Sequence, residues 1–512
     1  MKIKAILLVF IILVLSACSA TVISDKTNML VFPTYDPSAD KPGTRAAELT
    51  LTPFQTPPTR VPPAEPASSP TPDLPKTLPT IRTQTVKYTV QPNDTLGLIS
   101  RKYGVNLDLI MAANQITNPN LISVGQNLVI PPPSITAYGT SFKVVPDSEL
   151  ILGPLTAGFK LADFVQSKNG YLFHYTETLD DRIFTGIQVV DRVAREYSVN
   201  PRLLLSVLEY QSGWVTHSSP PDSSRDYPLG KVDSYRKGLY RQLAWTADNL
   251  NRGYYLWKIN AISSWQMADG GVIVAASQIN AGTAGVQHFF SLLYEQANWE
   301  KAVSDKGLFA TYTALFGNPF AYTYEPILPT KLTQPKLQLP FERGVIWSFT
   351  GAPHGAWGAG SAWGALDFAP PMDGGGCQTS SEWVVAMADG IIVRSEFGEV
   401  VEDLDGDGDE RTGWTLLYMH IATKDRVGLE KQIKAGDPIG HPSCEGGVSN
   451  GTHTHLARRY NGEWISADGT LPFNLDGWVS EGTGPEYSGF LKKNGQVLEA
   501  WDLKTENNQI ER

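Results

Sequence analysis

Four histidines hold most of the reactive chemistry in this chain. Its 512 residues contain only eight histidines. His354, His420, His453 and His455 fall in three short contexts: Gly351-Ala352-Pro353-His354, Leu417-Tyr418-Met419-His420 and His453-Thr454-His455. Asp367 lies in Ala365-Leu366-Asp367-Phe368. Alternation along a strand puts His453 and His455 on one face. Two imidazoles with a carboxylate suit a zinc ion, and a catalytic zinc takes three protein ligands and keeps one position for water. A second, oxygen-rich cluster sets Asp403, Asp405, Asp407 and Asp409 at alternate positions, as the start of a calcium loop does. Trp414 stands at the twelfth position, where such a loop has its bidentate glutamate. Two readings stay open there: a hairpin stabilised by Ca2+, or a solvated acidic turn.

These side chains need rigid elements behind them. Residues 341–490 are rich in short apolar runs and glycine turns. Val384-Val385-Ala386, Gly390-Ile391-Ile392-Val393 and Trp414-Thr415-Leu416-Leu417-Tyr418-Met419 read as strands of a mainly antiparallel β domain. Along it run Val385-Ala386-Met387-Ala388-Asp389-Gly390, Tyr418-Met419-His420-Ile421, Lys434-Ala435-Gly436-Asp437-Pro438-Ile439-Gly440 and the final His-x-His. In that order they resemble the M23 metallopeptidases, the lysostaphin and β-lytic group. Many members have their first ligand histidine four residues before the ligand aspartate, a position held here by Trp363. The β-lytic subgroup places it further upstream in a Gly-rich loop, and His354, thirteen residues before Asp367, fits that layout. The resemblance implies Zn2+ held by His354, Asp367 and His455. It implies His420 and His453 as catalytic groups that handle protons and the developing oxyanion. Singly, each histidine is more often a satisfied loop residue; jointly, in family order, they point to a site. His441 reads as a rim or surface residue, and Trp357 and Trp363 as core or substrate contacts.

Residues 86–133 form a smaller unit. Lys87-Tyr88-Thr89-Val90 reads as a strand, Asp94 as the cap of a helix, 107–114 as a second helix, and Gly125-Gln126-Asn127-Leu128-Val129-Ile130 as a turn and closing strand. With Asn93-Asp94-Thr95-Leu96, Asn114, Asn118-Pro119 and Ile130-Pro131 this βααβ order resembles a LysM domain. The resemblance implies a shallow groove for N-acetylglucosamine-containing glycans, lined by Asp94, Thr95, Leu96, Asn120, Leu121 and Ile122. At least one of Leu96 and Ile122 is expected in the core.

Residues 147–335 are mostly helical, with apolar residues at three- and four-residue steps over 183–197, 201–210, 239–256 and 271–293. Asn200-Pro201 is a helix start, with Asn as cap and Pro first. Val199-Asn200-Pro201-Arg202-Leu203-Leu204-Leu205, Gln211-Ser212-Gly213-Trp214 and Ala281-Gly282-Thr283 resemble the lysozyme-like fold of lytic transglycosylases. That family has its catalytic glutamate directly before Ser-Gly. Gln211 stands there, and Gln cannot protonate a glycosidic oxygen. Glu209 turns to nearly the opposite helix face. The domain is expected to bind or space glycan rather than cut it.

Residues 1–18 combine a cationic start, an apolar run and Leu15-Ser16-Ala17-Cys18, which resembles a bacterial lipobox. That implies export and a membrane anchor through acyl chains on Cys18. Residues 19–85 are a Pro/Thr/Ser-rich linker, and 491–512 a C-terminal tail. Cys377 and Cys444 are the other two cysteines and are expected to pair outside the cytoplasm. A net charge of -10 argues against nucleic acid as a partner. The fold class is multidomain α+β: a small βααβ LysM module, a mostly α lysozyme-like middle domain and a mainly antiparallel β M23 domain. The expected function is zinc-dependent cleavage of the peptides of bacterial peptidoglycan, at the cell envelope, with peptidoglycan and the membrane as partners. A non-catalytic wall-binding scaffold, or activator of other hydrolases, and a lytic transglycosylase are the alternatives.

Overall fold

The computed structural model describes residues 75–92, 94–372 and 375–512. The signal, the lipobox with Cys18, most of the linker and Asn93 lie outside the described residues. In the N-terminal module, Val86–Thr89 pairs antiparallel with Asn127–Ile130. Leu96–Tyr103 and Leu107–Ala113 close over Leu96, Ile99, Val105, Ile110, Leu128 and Ile130. The helix cap is Thr95 rather than Asp94: its Oγ1 accepts the Leu98 N–H at 3.2 Å. The Asp94 carboxylate turns back and accepts from the Tyr88 hydroxyl and the Gln91 N–H, both at 2.7 Å. Asn114 then locks helix to strand, donating to Ile110 O and Val129 O and accepting from Val129 N.

The linker does not run free to residue 85. Lys76 N donates to Ser277 O at 3.0 Å, and Asn260 Nδ2 to Thr77 O at 2.8 Å. Beyond the module, Ile135–Tyr138 runs parallel to Val272–Val274. The small module is thus held to the helical body on both of its flanks. A further bond joins Asn106 Nδ2 to Asp269 O at 3.0 Å.

The helical body is built on Gly186–Tyr197, Pro201–Ser212, Leu239–Lys258 and Ala281–Ser291. Thr185 and Gln188 form a reciprocal capping box, and Asn200 caps the helix that Pro201 opens. The helical period read over 271–293 holds only from Ala281. Before it, the β-branched run Val272-Ile273-Val274 pairs antiparallel with Ser264–Gln266, so a strand replaces the first turns.

The C-terminal domain is an antiparallel sheet of nine strands. Its central order is Gly390–Glu396, Glu399–Asp403, Trp414–Met419, Thr454–Tyr460, Ala365–Ala369 and Trp347–His354. Residues 491–512 are part of this domain rather than a tail: Gln509–Ile510 extends the sheet beside Trp347–His354, and Gln496–Glu499 closes a second, four-stranded sheet. Both faces of the large sheet are buried. Leu366, Phe368, Leu416, Tyr418 and Leu456 face one core with Phe341 and Trp347. Leu417, Met419 and Ala457 point the other way, into a continuous core with Val193, Leu204, Leu243 and Tyr254 of the helical body. Helical body and sheet therefore share one apolar interior.

Candidate active site

Three strands carry the candidate metal ligands. His455 stands directly opposite Asp367 in the register of Thr454–Tyr460 with Ala365–Ala369, and Asp367 is opposite Gly351 on the next strand. A β-carbon on Gly351 would lie 2.6 Å from Asp367 Oδ2, so the carboxylate rests where only glycine leaves room. Leu366, Phe368 and Leu456 fill the far core, so alternation sends Asp367 and His455 to the face that the helical body partly covers. His354 ends its own strand. All three are buried, between 2% and 7% exposed.

Backbone carbonyls fix the rings. His354 Nδ1 donates to Ala352 O at 2.9 Å, and His455 Nε2 donates to Ala356 O at 3.0 Å. A carbonyl only accepts, so the remaining nitrogens, His354 Nε2 and His455 Nδ1, carry lone pairs when neutral. Those two atoms face each other at 3.0 Å, and Asp367 Oδ1 lies 3.3 and 3.2 Å from them. Asp367 Oδ1 is also a buried oxygen with no hydrogen-bond partner. Three electron-rich atoms converge on one point, the arrangement a cation satisfies. Without one, a proton substitutes. Burial disfavours charge on both groups, yet the Asp367 carboxylate holds His354 above its ordinary pKa, and His354 with His453 holds Asp367 well below the carboxylate range. A metal would take the proton's place.

His420 and His453 flank this trio, their rings 4.5 Å apart. His420 Nδ1 donates to Glu445 O at 3.1 Å, and His453 Nδ1 to Gly451 O at 2.7 Å. His453 Nε2 comes 3.8 Å from Asp367 Oδ1. Burial, then the neighbouring His453 and His455, pushes His420 well below its usual pKa, so it sits neutral. His420 adopts φ 64° at the end of its strand, a left-handed conformation costly for a non-glycine residue. Tyr487, absent from the sequence reading, stacks on His354 at 4.2 Å between ring centroids.

Residues 88–131 match the family model for the LysM domain, and residues 143–330 match the model described as LasA, N-terminal domain. Protease LasA of Pseudomonas aeruginosa is 28% identical over 295 residues, 53% of this chain. The chain thus carries a LysM domain at residues 88–131 and a segment matching the LasA N-terminal domain at residues 143–330. It spans 66% of the length of Protease LasA. The N-acetylmuramoyl-L-alanine amidase XlyA of Bacillus subtilis is 32% identical over 117 residues, 22% of this chain and 39% of that protein. Among solved structures, the M23 metalloprotease pseudoalterin is 22% identical with a TM-score of 0.29, covering 36% of this chain and all of that one. The catalytic domain of lysostaphin from Staphylococcus simulans is also 22% identical, with a TM-score of 0.16 over 25% of this chain and 89% of that one.

In the LysM domain, Thr95, Asn120 and Leu121 are exposed, Asp94 and Ile122 half-buried, and Leu96 wholly buried. Leu96 packs in the core and lines no groove, and Ile122 packs against that core as well. In the LasA N-terminal domain, Gln211 is held by the Tyr294 hydroxyl and donates to Leu229 O. The Glu209 carboxylate accepts from Val215 N and Thr216 N and from the Thr216 hydroxyl, which commits it to closing a turn.

Cys377 and Cys444 are joined, with Cα atoms 5.5 Å apart. In the acidic hairpin, oxygens of Asp403, Asp405 and Asp407 come within 4.8 Å of one another. Asp409 is not with them: Arg411 Nε and Nη2 take both of its oxygens at 2.6 and 2.7 Å. His441 lies against Trp383 and bonds to Glu382 O. Trp357 is in the shared core, and Trp363 is half-exposed. Among the described residues no helix is long and apolar enough to cross a membrane.

Proposed function

We propose that this chain is a zinc metalloendopeptidase that cuts peptide bonds of bacterial peptidoglycan, with its LysM domain binding the glycan strands. The observation that carries this reading is the convergence of His354 Nε2, His455 Nδ1 and the unpartnered Asp367 Oδ1, with two further histidines beside them. Zinc bound there would act as Lewis acid on the scissile carbonyl and bring its water toward neutral pKa. His354, Asp367 and His455 would hold it. His420, with Nδ1 donating to Glu445 O, would keep its lone pair on Nε2 as the proton acceptor. His453, with Nδ1 donating to Gly451 O, presents the Nε2 lone pair to the same space. The stacked Tyr487 forms a wall beside His354. Protease LasA and the amidase XlyA are in keeping with a wall-directed peptidase.

The proposed location is the cell envelope, with the signal of residues 1–18 directing export and Cys18 carrying the lipid anchor. Ca2+ is the ion proposed for Asp403, Asp405 and Asp407, without Asp409. Digestion of purified peptidoglycan is the test. New amine ends that vanish with a zinc chelator, and no anhydro-sugar ends, are expected; anhydro-sugar ends, or no cleavage, would overturn the reading.

A further inference from the structure

Two separate supports hold the two halves of this site. The metal-facing residues His354, Asp367 and His455 sit on the strands Trp347–His354, Ala365–Ala369 and Thr454–Tyr460, and their ring acceptors are Ala352 O and Ala356 O. The acceptors for His420 and His453 both lie on another segment, the loop of residues 441–453. Glu445 O, which takes the His420 Nδ1 proton, follows directly on Cys444. Gly451 O, which takes the His453 Nδ1 proton, also accepts from Ser449 Oγ at 2.7 Å. Ser449 Oγ is in turn 3.3 Å from Cys444 Sγ and 3.4 Å from His453 Nδ1. The far end of the bridge is tied as well: Thr452 N donates to Gly376 O at 3.2 Å, next to Cys377. The disulfide therefore stands at the root of both carbonyls.

We propose that the Cys377–Cys444 bridge, acting through Glu445, Ser449 and Gly451, is a positioning element for the two proton-handling histidines, holding His420 and His453 in the Nδ1–H tautomer while leaving metal binding to the strands. The physical reason is that a carbonyl acceptor dictates which ring nitrogen keeps its proton. If the loop drifts, each ring is free to take the other tautomer, and Nε2 then bears a proton where a lone pair is needed. The catalytic part of the inference rests on the peptidase reading above; the tautomer part does not.

The test uses the full chain, loaded with zinc and labelled with 15N-histidine, beside the double variant Cys377→Ser with Cys444→Ser and the single variant Ser449→Ala. In the unaltered chain, NMR should show His420 and His453 with the proton on Nδ1. In the double variant both should lose that single tautomer. Bound zinc should stay stoichiometric, and kcat should fall roughly 100-fold, the lower end of what a positioned proton-transfer group contributes, with KM little changed. Ser449→Ala should alter His453 alone, and it decides the matter if the double variant does not fold. Unchanged tautomers in the variants would overturn the proposal, and so would zinc lost in step with kcat, because the bridge would then be supporting the metal site. A chain that shows the tautomer change but cuts nothing would uphold the positioning and defeat only the peptidase reading.

Discussion

His455 and Asp367 face each other across neighbouring antiparallel strands, with His455 Nδ1 3.2 Å from Asp367 Oδ1. Because the other ring nitrogen donates to Ala356 O, neither facing atom brings a proton of its own in the neutral state. A cation should therefore stabilise the fold itself. Zinc at about 100 times its Kd should add about 2.7 kcal/mol. Scanning calorimetry should show the midpoint rising with zinc in the unaltered chain and unmoved in Asp367→Ala.

Asp248 links the helical body to the loop behind this pair. Its Oδ1 accepts the Gly360 N–H at 2.8 Å, and burial pushes its pKa up to about 6 from 3.8. A raised carboxyl pKa means the folded state binds the extra proton. Stability from this group is thus fully present below about pH 3.8 and lost as pH rises through about 6, by about 3 kcal/mol. Asp248→Asn keeps the acceptor and removes the charge. Denaturant titrations should find it stabilising at pH 8 and near neutral at pH 4.

Glu410 has the opposite sign. Burial alone would raise it, but Arg394 and Arg459, at 3.2 and 2.7 Å, hold it down to about 2. Its contribution is present above about pH 4.5 and lost as pH falls through about 2. Glu410→Ala leaves two buried guanidinium groups short of a partner and should cost about 3–5 kcal/mol at pH 7, read from chemical denaturation.

The LysM reading predicts a separable effect. Leu121 is 72% exposed on the face expected to meet glycan. Leu121→Asp should weaken pull-down by insoluble peptidoglycan roughly tenfold, about the worth of one apolar contact. Cleavage of a soluble peptide should not change.

That His354, Asp367, His420, His453 and His455 come together was legible because histidine is scarce, eight in 512 residues, and its spacing is unusual. Trp414–Met419 was readable as a strand for the same kind of reason, a run of apolar and β-favouring residues bounded by glycine. The shared interior was not. Leu417, Met419 and Ala457 look like ordinary alternating strand residues, and only packing shows that they belong to the same core as Leu204 and Tyr254. Asp94 read as a cap because its type fits; Thr95, one residue on, won because Tyr88 and Gln91 claim the Asp94 carboxylate. Tyr487 comes from a loop at φ 65°, with no period or motif to mark it. Gln509–Ile510 is a two-residue strand, too short for any alternation to show.

The most direct test of the metal-centred account is to digest purified peptidoglycan with the zinc-loaded chain and with His455→Ala, and to count new amine ends. The account predicts steady release by the unaltered chain, none by His455→Ala, and recovery after chelation when zinc is returned. Equal release by both proteins, or no release by a chain shown to hold zinc, would contradict it.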